Sequence, residues 1–322
     1  MLTPPMGVII TGGSGFVGSQ FLEVLSRQFS VLAPSHTELN VTNASQVADY
    51  FKRHTPSAVI HAAAFTDNDA AEGERGNKKG LCWQVNVDGT RNIVDAAAQV
   101  GAFVINISTG SVFAGDEKMP GPFNETDSPS SQEKLSWYAY TKAVAETLIT
   151  YGATIRLSHP VADTPLVAEG KTDYVHQLVS LYDDDTLYPL FTDQRFGITY
   201  LPDVILAIKT ILRGPAAGFP PAPPTKGTPA AGGPPTRVTP TIYHIVSVDR
   251  ATPYEIVQYA IEKARYVRPS LKATTFDEFI KTVPMPKRYA KYHAIDGLWT
   301  RKILQLPSRT WKEIVDCLYP AH

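Results

Sequence analysis

A chain of 322 residues is longer than one hydrophobic core usually needs, so one large domain or two interleaved ones are expected. Its hydrophobic fraction of 43%, charged fraction of 19% and formal net charge of -1 describe an ordinary globular protein and exclude a broad field that would attract nucleic acid or anionic lipid. Cys82 and Cys317 have no metal-ligand spacing, residues 1–7 lack the features of a signal peptide, and no apolar run approaches the ~20 residues that span a bilayer, so a soluble cytoplasmic protein without structural zinc is expected.

In chain order, β-branched runs alternate with helical patterns. Gly7-Val8-Ile9-Ile10-Thr11 reads as a strand, residues 16–29 as a helix, Val31-Leu32-Ala33 as a strand and Ala58-Val59-Ile60-His61 as another. Residues 81–100 follow as a helix with Val85, Ile93, Val94 and Ala97 on one face. Residues 103–108 then form a strand, 138–150 a helix and 153–157 a strand. Near-continuous apolar strands separated by amphipathic helices predict a parallel sheet covered on both faces, the doubly wound α/β (Rossmann) architecture.

After residue 157 the alternation becomes irregular. A loop over 159–170, helices over 175–182 and 203–213, and a strand over 241–248 are expected. Thr252-Pro253-Tyr254-Glu255 opens a helix with a capping box and proline at its first position, and residues 310–318 form a last helix. We assign residues 1–158 to a nucleotide-binding domain, to which 197–213 and 241–248 return, and 159–196 with 249–322 to a smaller, mostly C-terminal substrate-binding lobe. Residues 214–240 are rich in Pro, Ala and Gly without hydrophobic periodicity and read as a flexible surface insertion.

Directly after the first strand stands Thr11-Gly12-Gly13-Ser14-Gly15-Phe16-Val17-Gly18, and a helical pattern begins at once. Glycines at 12, 15 and 18 permit a tight turn, close backbone approach to a pyrophosphate and close packing of helix on strand. The alternative is a turn that only connects strand to helix. The second strand ends in Ala33-Pro34-Ser35-His36, with no carboxylate to hold a ribose 2′-hydroxyl. Ser35 and His36 can accommodate a phosphate, so NADP is expected, with NAD and ordinary loop chemistry as the alternatives.

The strand over 103–108 ends in Ser108-Thr109, and about a helix's length downstream lies Tyr138-Ala139-Tyr140-Thr141-Lys142. Spacing of four puts Tyr138 and Lys142 on one helical face, whereas Tyr140 and Lys142 point in different directions. An unperturbed tyrosine titrates near ~10, and a neighbouring cation stabilises the phenolate left after proton transfer.

With these motifs in this order, the chain resembles the extended short-chain dehydrogenases/reductases, and among them the dTDP-4-dehydrorhamnose reductase branch. The resemblance runs through nearly the whole chain. It includes His61-Ala62-Ala63-Ala64-Phe65-Thr66, Asn86-Val87-Asp88-Gly89-Thr90, Ser108-Thr109-Gly110-Ser111-Val112-Phe113-Ala114-Gly115, Asp193-Gln194-Arg195-Phe196-Gly197 and Pro202-Asp203-Val204. Three departures bear on the sugar: Gly110-Ser111 stands where the branch has Asp-Tyr, Asn40 where it has Asp, and Arg288-Tyr289 where it has Arg-Pro.

The resemblance implies an NADPH-dependent reductase of a 4-keto nucleotide-linked sugar, with Tyr138 as general acid, Lys142 stabilising its phenolate and holding the nicotinamide ribose, and Thr109 polarising the reacting oxygen. It implies a cofactor held by Gly12, Ser14, Gly15, Phe16, Val17, Ser35, His36, Asn40, Val41, Ala62, Ala63 and Ala64 besides Tyr138 and Lys142. It places Thr109, Gly110, Ser111, Trp137 and Arg195 against substrate. Dehydration is disfavoured, because Gly110 and Ser111 supply no carboxylate for elimination. A nucleotide-sugar epimerase, and a non-catalytic NADP-binding partner resembling the regulatory subunit of methionine adenosyltransferase, remain as alternatives. A homodimer is compatible with the sequence. His61 is expected to end a strand near the cofactor and not to act as a base, Asp183-Asp184-Asp185 to form a solvated loop, and the tryptophans to occupy core or pocket.

Overall fold

The computed structural model describes residues 6–164, 172–213, 241–285 and 288–320. The expected insertion over 214–240 therefore lies outside the described residues, as does the second half of the loop expected over 159–170.

The sheet is built from β1 (Gly7–Thr11), β2 (Ser30–Leu32), β3 (Ala58–His61), β4 (Phe103–Thr109) and β5 (Gly152–Leu157). Two short strands, β6 (Pro160–Val161) and β8 (Thr199–Tyr200), pair with each other, and β7 (Leu190–Phe191) pairs with the equally short β10 (Ala273–Thr274). The sixth strand of the main sheet is β9 (Thr241–Ile245), and the order β2-β1-β3-β4-β5-β9 is parallel at every pairing. The chain leaves β1 in one direction to form β2 and returns on the other side to form β3. A crevice between the two connections results, the place where open α/β sheets bind ligands.

Helices cover both faces, as the apolar strands require. Within β1, Val8 and Ile10 join the core beneath helices α1 (Phe16–Leu25) and α8 (Leu201–Arg213), while Ile9 faces the opposite core with α2 (Ala44–His54) and α5 (Gly89–Val100). Side chains that alternate across the pleat make this division unavoidable once both faces are dry. The segment expected as one helix over 81–100 consists of α4 (Leu81–Trp83), a π-turn over Gln84–Asp88, and α5. Helix α2 was not foreseen, since only Val47 and Phe51 mark its buried face. Between β3 and α4 lies the short α3 (Asn68–Gly73), and α6 (Trp137–Glu146) packs on β4.

A second core gathers α7 (Tyr174–Asp183), α9 (Pro253–Arg265) and α12 (Trp311–Leu318) around Phe196 and Ile198. The capping box at Thr252 and Glu255 is present as expected. Helices α10 (Phe276–Ile280) and α11 (Leu298–Leu304) complete the described residues. Asp203 of α8 accepts from Arg301 at 3.1 Å and from Arg309 at 3.2 Å, so the family-like Pro202-Asp203-Val204 segment ties the sheet's helix layer to the C-terminal chain. One tryptophan departs from expectation: Trp299 is 47% exposed and stacks on Tyr243 at the sheet edge.

Among the described residues no helix is long and apolar enough to cross a membrane, and no cluster of His, Cys, Asp and Glu could hold a metal ion. Asp183 pairs with Arg265. Both cysteines are free, Cys82 buried and Cys317 partly exposed.

Candidate active site

The glycine loop is shaped by two contacts that a side chain would destroy. Gly12 has φ +70, and a Cβ on it would come within 2.6 Å of the Ala63 backbone nitrogen. A Cβ on Gly18 would stand 2.1 Å from the Gly12 carbonyl oxygen. The loop thus touches the chain leaving β3 and lets α1 start close against β1. Gly15, the N-cap of α1, supplies no side-chain cap, so the first-turn N–H groups of Phe16, Val17 and Gly18 are available to an anion. Ser14 is exposed beside them. These features fit a dinucleotide pyrophosphate.

At the end of β2 the sequence expectation is corrected. A carboxylate is present: Glu38, three residues past Ser35, accepts from the Ser35 backbone N–H at 2.8 Å and from its hydroxyl at 2.7 Å. These two hydrogen bonds hold the Glu38 carboxyl below its ordinary range. Reading only four residues past the strand missed it, because the chain turns back there. His36 is exposed. Asn40 is engaged locally, its Oδ1 accepting from the N–H of Thr42 at 3.0 Å, and Val41 is buried with its carbonyl bonded to Asn92 at 2.8 Å.

His61 is the last residue of β3 and bridges two threonines. Its Nδ1 lies 2.7 Å from the Thr11 hydroxyl and its Nε2 3.1 Å from that of Thr90, and burial followed by the Lys142 charge pushes its pKa down to about 3. Past it, the half-buried Ala62 and Ala63 border the glycine loop, and Ala64 is half-buried beside them in the chain. Asn86 then clamps the segment: its Oδ1 accepts from the Phe65 N–H at 2.8 Å and its Nδ2 donates to the Thr141 hydroxyl at 2.9 Å. The crevice is thereby fastened to α6.

The three polar residues singled out by the sequence converge at the C-terminal end of β4. Thr109 is its last residue, and its hydroxyl donates to Ser111 Oγ at 3.1 Å while accepting from the Ser111 N–H at 3.1 Å. Ser136 caps α6 by accepting from the Ala139 N–H at 3.2 Å, which sets Tyr138 and Lys142 one turn apart at the helix start. Burial pushes the Tyr138 phenol up to about 12, and a hydrogen bond with Thr109 opposes the rise. Lys142 is buried and donates to the Ile107 carbonyl at 2.8 Å; burial pulls its pKa down to about 8 and the charge of Glu146 opposes that fall. Its remaining two protons are available to a ligand. Cys82 lies in the same pocket of side chains, its sulfur 3.5 Å from the Thr141 hydroxyl, and burial pushes its thiol up.

Beside Ser111 and Ser136 opens a cavity of about 650 Å³. Its other walls include His159 after β5, Tyr174 and Gln177 on α7, Tyr188 and Gln194 around β7, and Arg288, Tyr289 and His293. Of the expected substrate contacts, Ser111 lines this cavity. Gly110 is buried, where a Cβ would meet Ile295 at 3.2 Å. Trp137 is fully buried, stacked on Trp83 at 5.8 Å with its indole nitrogen unpartnered, and does not reach the cavity. Arg195 is exposed and engaged by the Arg250 carbonyl at 3.0 Å and Glu255 at 3.5 Å; its neighbour Gln194 takes the wall position. Tyr140 packs among Trp83 and Trp137, away from Lys142. The histidines and tyrosines of the wall carried no sequence signal, being scattered over more than a hundred residues. The one hint was the departure at Arg288-Tyr289, which proves to lie in the wall.

A family model described as the RmlD substrate binding domain matches residues 6–320. The chain belongs to this RmlD family. Among its relatives, a dTDP-4-dehydrorhamnose reductase of Streptomyces griseus is 26% identical over 244 residues, covering 76% of this chain and 77% of that protein. The beta subunit of methionine adenosyltransferase 2 from Bos taurus is 28% identical over 154 residues, or 45% of this chain and 43% of its own length. In fold, this RmlD-family chain is similar to a crystal structure of dTDP-4-dehydrorhamnose reductase from Bacillus anthracis in complex with NADP, with TM-score 0.78, 22% identity and coverage of 98% and 99% of the two chains.

Proposed function

We propose that this RmlD-family chain is a reductase of a 4-keto nucleotide-linked sugar that takes its hydride from NADPH. The observation that carries the reading is the convergence of Thr109, Tyr138 and Lys142 at the sheet's C-terminal end, where Ser111, the hydrogen-bond partner of Thr109, lines a cavity of about 650 Å³. Relatives named as dTDP-4-dehydrorhamnose reductase, and a similar structure holding NADP, support the substrate class and cofactor.

NADPH, when bound, supplies the hydride. Gly12 and Gly15 with the first turn of α1 take its pyrophosphate, and Lys142 uses its free protons on the nicotinamide ribose. Tyr138 delivers the proton to the sugar oxygen. A phenol held near 12 stays protonated at neutral pH, as a donor must, and the Lys142 ammonium one turn away stabilises the phenolate that forms. Thr109, beside both, donates to the reacting oxygen once substrate replaces Ser111 as its acceptor. Residues 6–158, with α8 and β9, form the cofactor-binding part in this reading, and the segments around α7, α9 and α12 the substrate lobe. NADPH supply and two free thiols suit a cytoplasmic setting.

The test is to follow NADPH oxidation with dTDP-4-dehydrorhamnose and with the UDP-linked equivalent. A second reading, a non-catalytic partner, draws support from the match to the methionine adenosyltransferase subunit. It predicts NADP binding with no turnover of any 4-keto nucleotide sugar.

A further inference from the structure

The cavity holds two histidines that the proposed chemistry does not use. Thr109 and Leu157 are register partners at the ends of β4 and β5, and His159 lies two residues beyond Leu157. The sheet therefore brings His159 to the same end as Thr109, and both His159 and Ser111 line the cavity.

His159 is pinned there in a conformation that L-residues seldom adopt. Its φ is +44, in the left-handed region. On one side the Ser158 N–H donates to the Thr199 hydroxyl at 2.8 Å, and on the other Pro160 and Val161 pair with β8. The ring stacks on Phe196 at 3.9 Å between centroids and meets His293 edge-on at 5.8 Å. Among the described residues neither ring nitrogen of His159 has a hydrogen-bond partner, although the ring lines the cavity. A strained backbone that holds a polar ring without a partner against a cavity points to a ligand contact.

His293 adds a defined polarity. Its Nδ1 lies 3.0 Å from the Ala290 carbonyl, which can only accept, so Nδ1 carries the proton and Nε2 of the neutral ring is an acceptor. Burial lowers the pKa of both rings, that of His159 to about 3, so neither is a cation at neutral pH. The cations of the wall are engaged elsewhere, Arg288 with Asp69 at 2.6 Å and Lys134 with Asp116 at 2.9 Å.

We propose that His159 and His293 are specificity-determining residues that hydrogen-bond sugar hydroxyls as neutral imidazoles, with His293 Nε2 accepting from one hydroxyl. This rests on the reading of the cavity as a nucleotide-sugar site. Neutral, hydrogen-bonding rings on an aromatic base suit an uncharged polyol and leave the phosphates to other groups.

The experiment measures binding of dTDP-rhamnose, UDP-glucose and NADPH by calorimetry to the wild type and to His159→Phe, His293→Phe and His293→Gln. Phenylalanine keeps the ring stack and removes the nitrogens; glutamine restores a polar atom near Nε2. The expected result is a tenfold or greater loss of nucleotide-sugar affinity in both Phe variants, unchanged NADPH affinity as proof of folding, and recovery to within about threefold in His293→Gln. Phe variants that bind the nucleotide sugars as tightly as the wild type overturn this proposal and leave the reductase reading standing. A wild type that binds NADPH but neither nucleotide sugar overturns both.

Discussion

The Glu146 carboxylate and the Arg156 guanidinium meet at 2.7 and 3.0 Å in the interior, between β5 and the helix that carries Tyr138 and Lys142. Ser108 donates to the same carboxylate at 2.5 Å, Arg156 lies 3.1 Å from His244, and the far side of that ring faces the Asp296 carbonyl at 3.0 Å. The pair therefore sits in a largely buried chain running from β4 to β9 and the segment just before α11. Removing one partner leaves an uncompensated charge in a dry place. Arg156→Met is expected to lower stability by about 3–5 kcal/mol, and Glu146→Met/Arg156→Met to recover most of that loss. Urea denaturation of the three proteins checks both numbers; a single-variant loss below ~1 kcal/mol would mean that water reaches the pair.

Tyr138→Phe keeps a ring packed against the cluster of Ala71, Cys82 and Trp137 and removes the acidic hydroxyl. Turnover of a 4-keto nucleotide sugar should fall ~10²–10⁴-fold with NADPH affinity preserved. Lys142→Met should lose turnover and weaken NADPH binding as well, since its free protons are assigned to the ribose. Steady-state kinetics and cofactor titration separate the two effects, and undiminished activity in Tyr138→Phe would remove Tyr138 from the mechanism.

Glu38 sets a test of cofactor choice. Its carboxylate engages the Ser35 hydroxyl where a 2′-phosphate is expected, and it repels that phosphate. NADPH should still bind more tightly than NADH. Glu38→Gln is expected to widen that preference by about threefold or more, through the loss of one negative charge near a dianion. Fluorescence titration with both cofactors measures the ratio; a narrower ratio would place the adenosine ribose away from Ser35.

His61, His159 and His244 each have a folded pKa pushed down to about 3 by burial, against an ordinary value of 6.5. The unfolded chain therefore binds more protons than the folded one between these values. Stability from these groups is complete above about 6.5 and is lost as pH falls toward 3, at ~1.4 kcal/mol per pH unit for each ring. Denaturation midpoints at pH 7, 6 and 5 should decline, and His61→Gln, which can still bridge Thr11 and Thr90, should flatten the slope. A profile level from pH 7 to 5 would show that the rings take up protons in the folded state.

How much of this was legible depended on how local each signal is. Apolar runs and helical periodicity placed all six strands of the main sheet and most of its helices, because a strand buried on both faces has no alternative composition. The glycine loop was legible because its demands are short-range: Gly12 holds a φ of +70, and Gly18 meets the Gly12 carbonyl six residues back. Spacing of four put Tyr138 and Lys142 on one face of α6. Helix α2, with two buried apolar residues, fell below that signal.

The tertiary structure alone decided what a turn or a long-range contact controls. Glu38 reaches Ser35 only because the chain doubles back after β2, so a carboxylate appears where the linear reading found none. Trp137 and Arg195 sit next to residues of the site in sequence, yet one is turned into the interior and the other outward to Glu255, since neighbours on a helix or an extended chain point in different directions. The cavity's histidines, tyrosines and arginine come from segments that meet only when the second core closes on the sheet. Cofactor geometry was thus written in local sequence, where backbone shape is set by nearest neighbours. Substrate geometry was not, because it exists only between elements that the fold brings together.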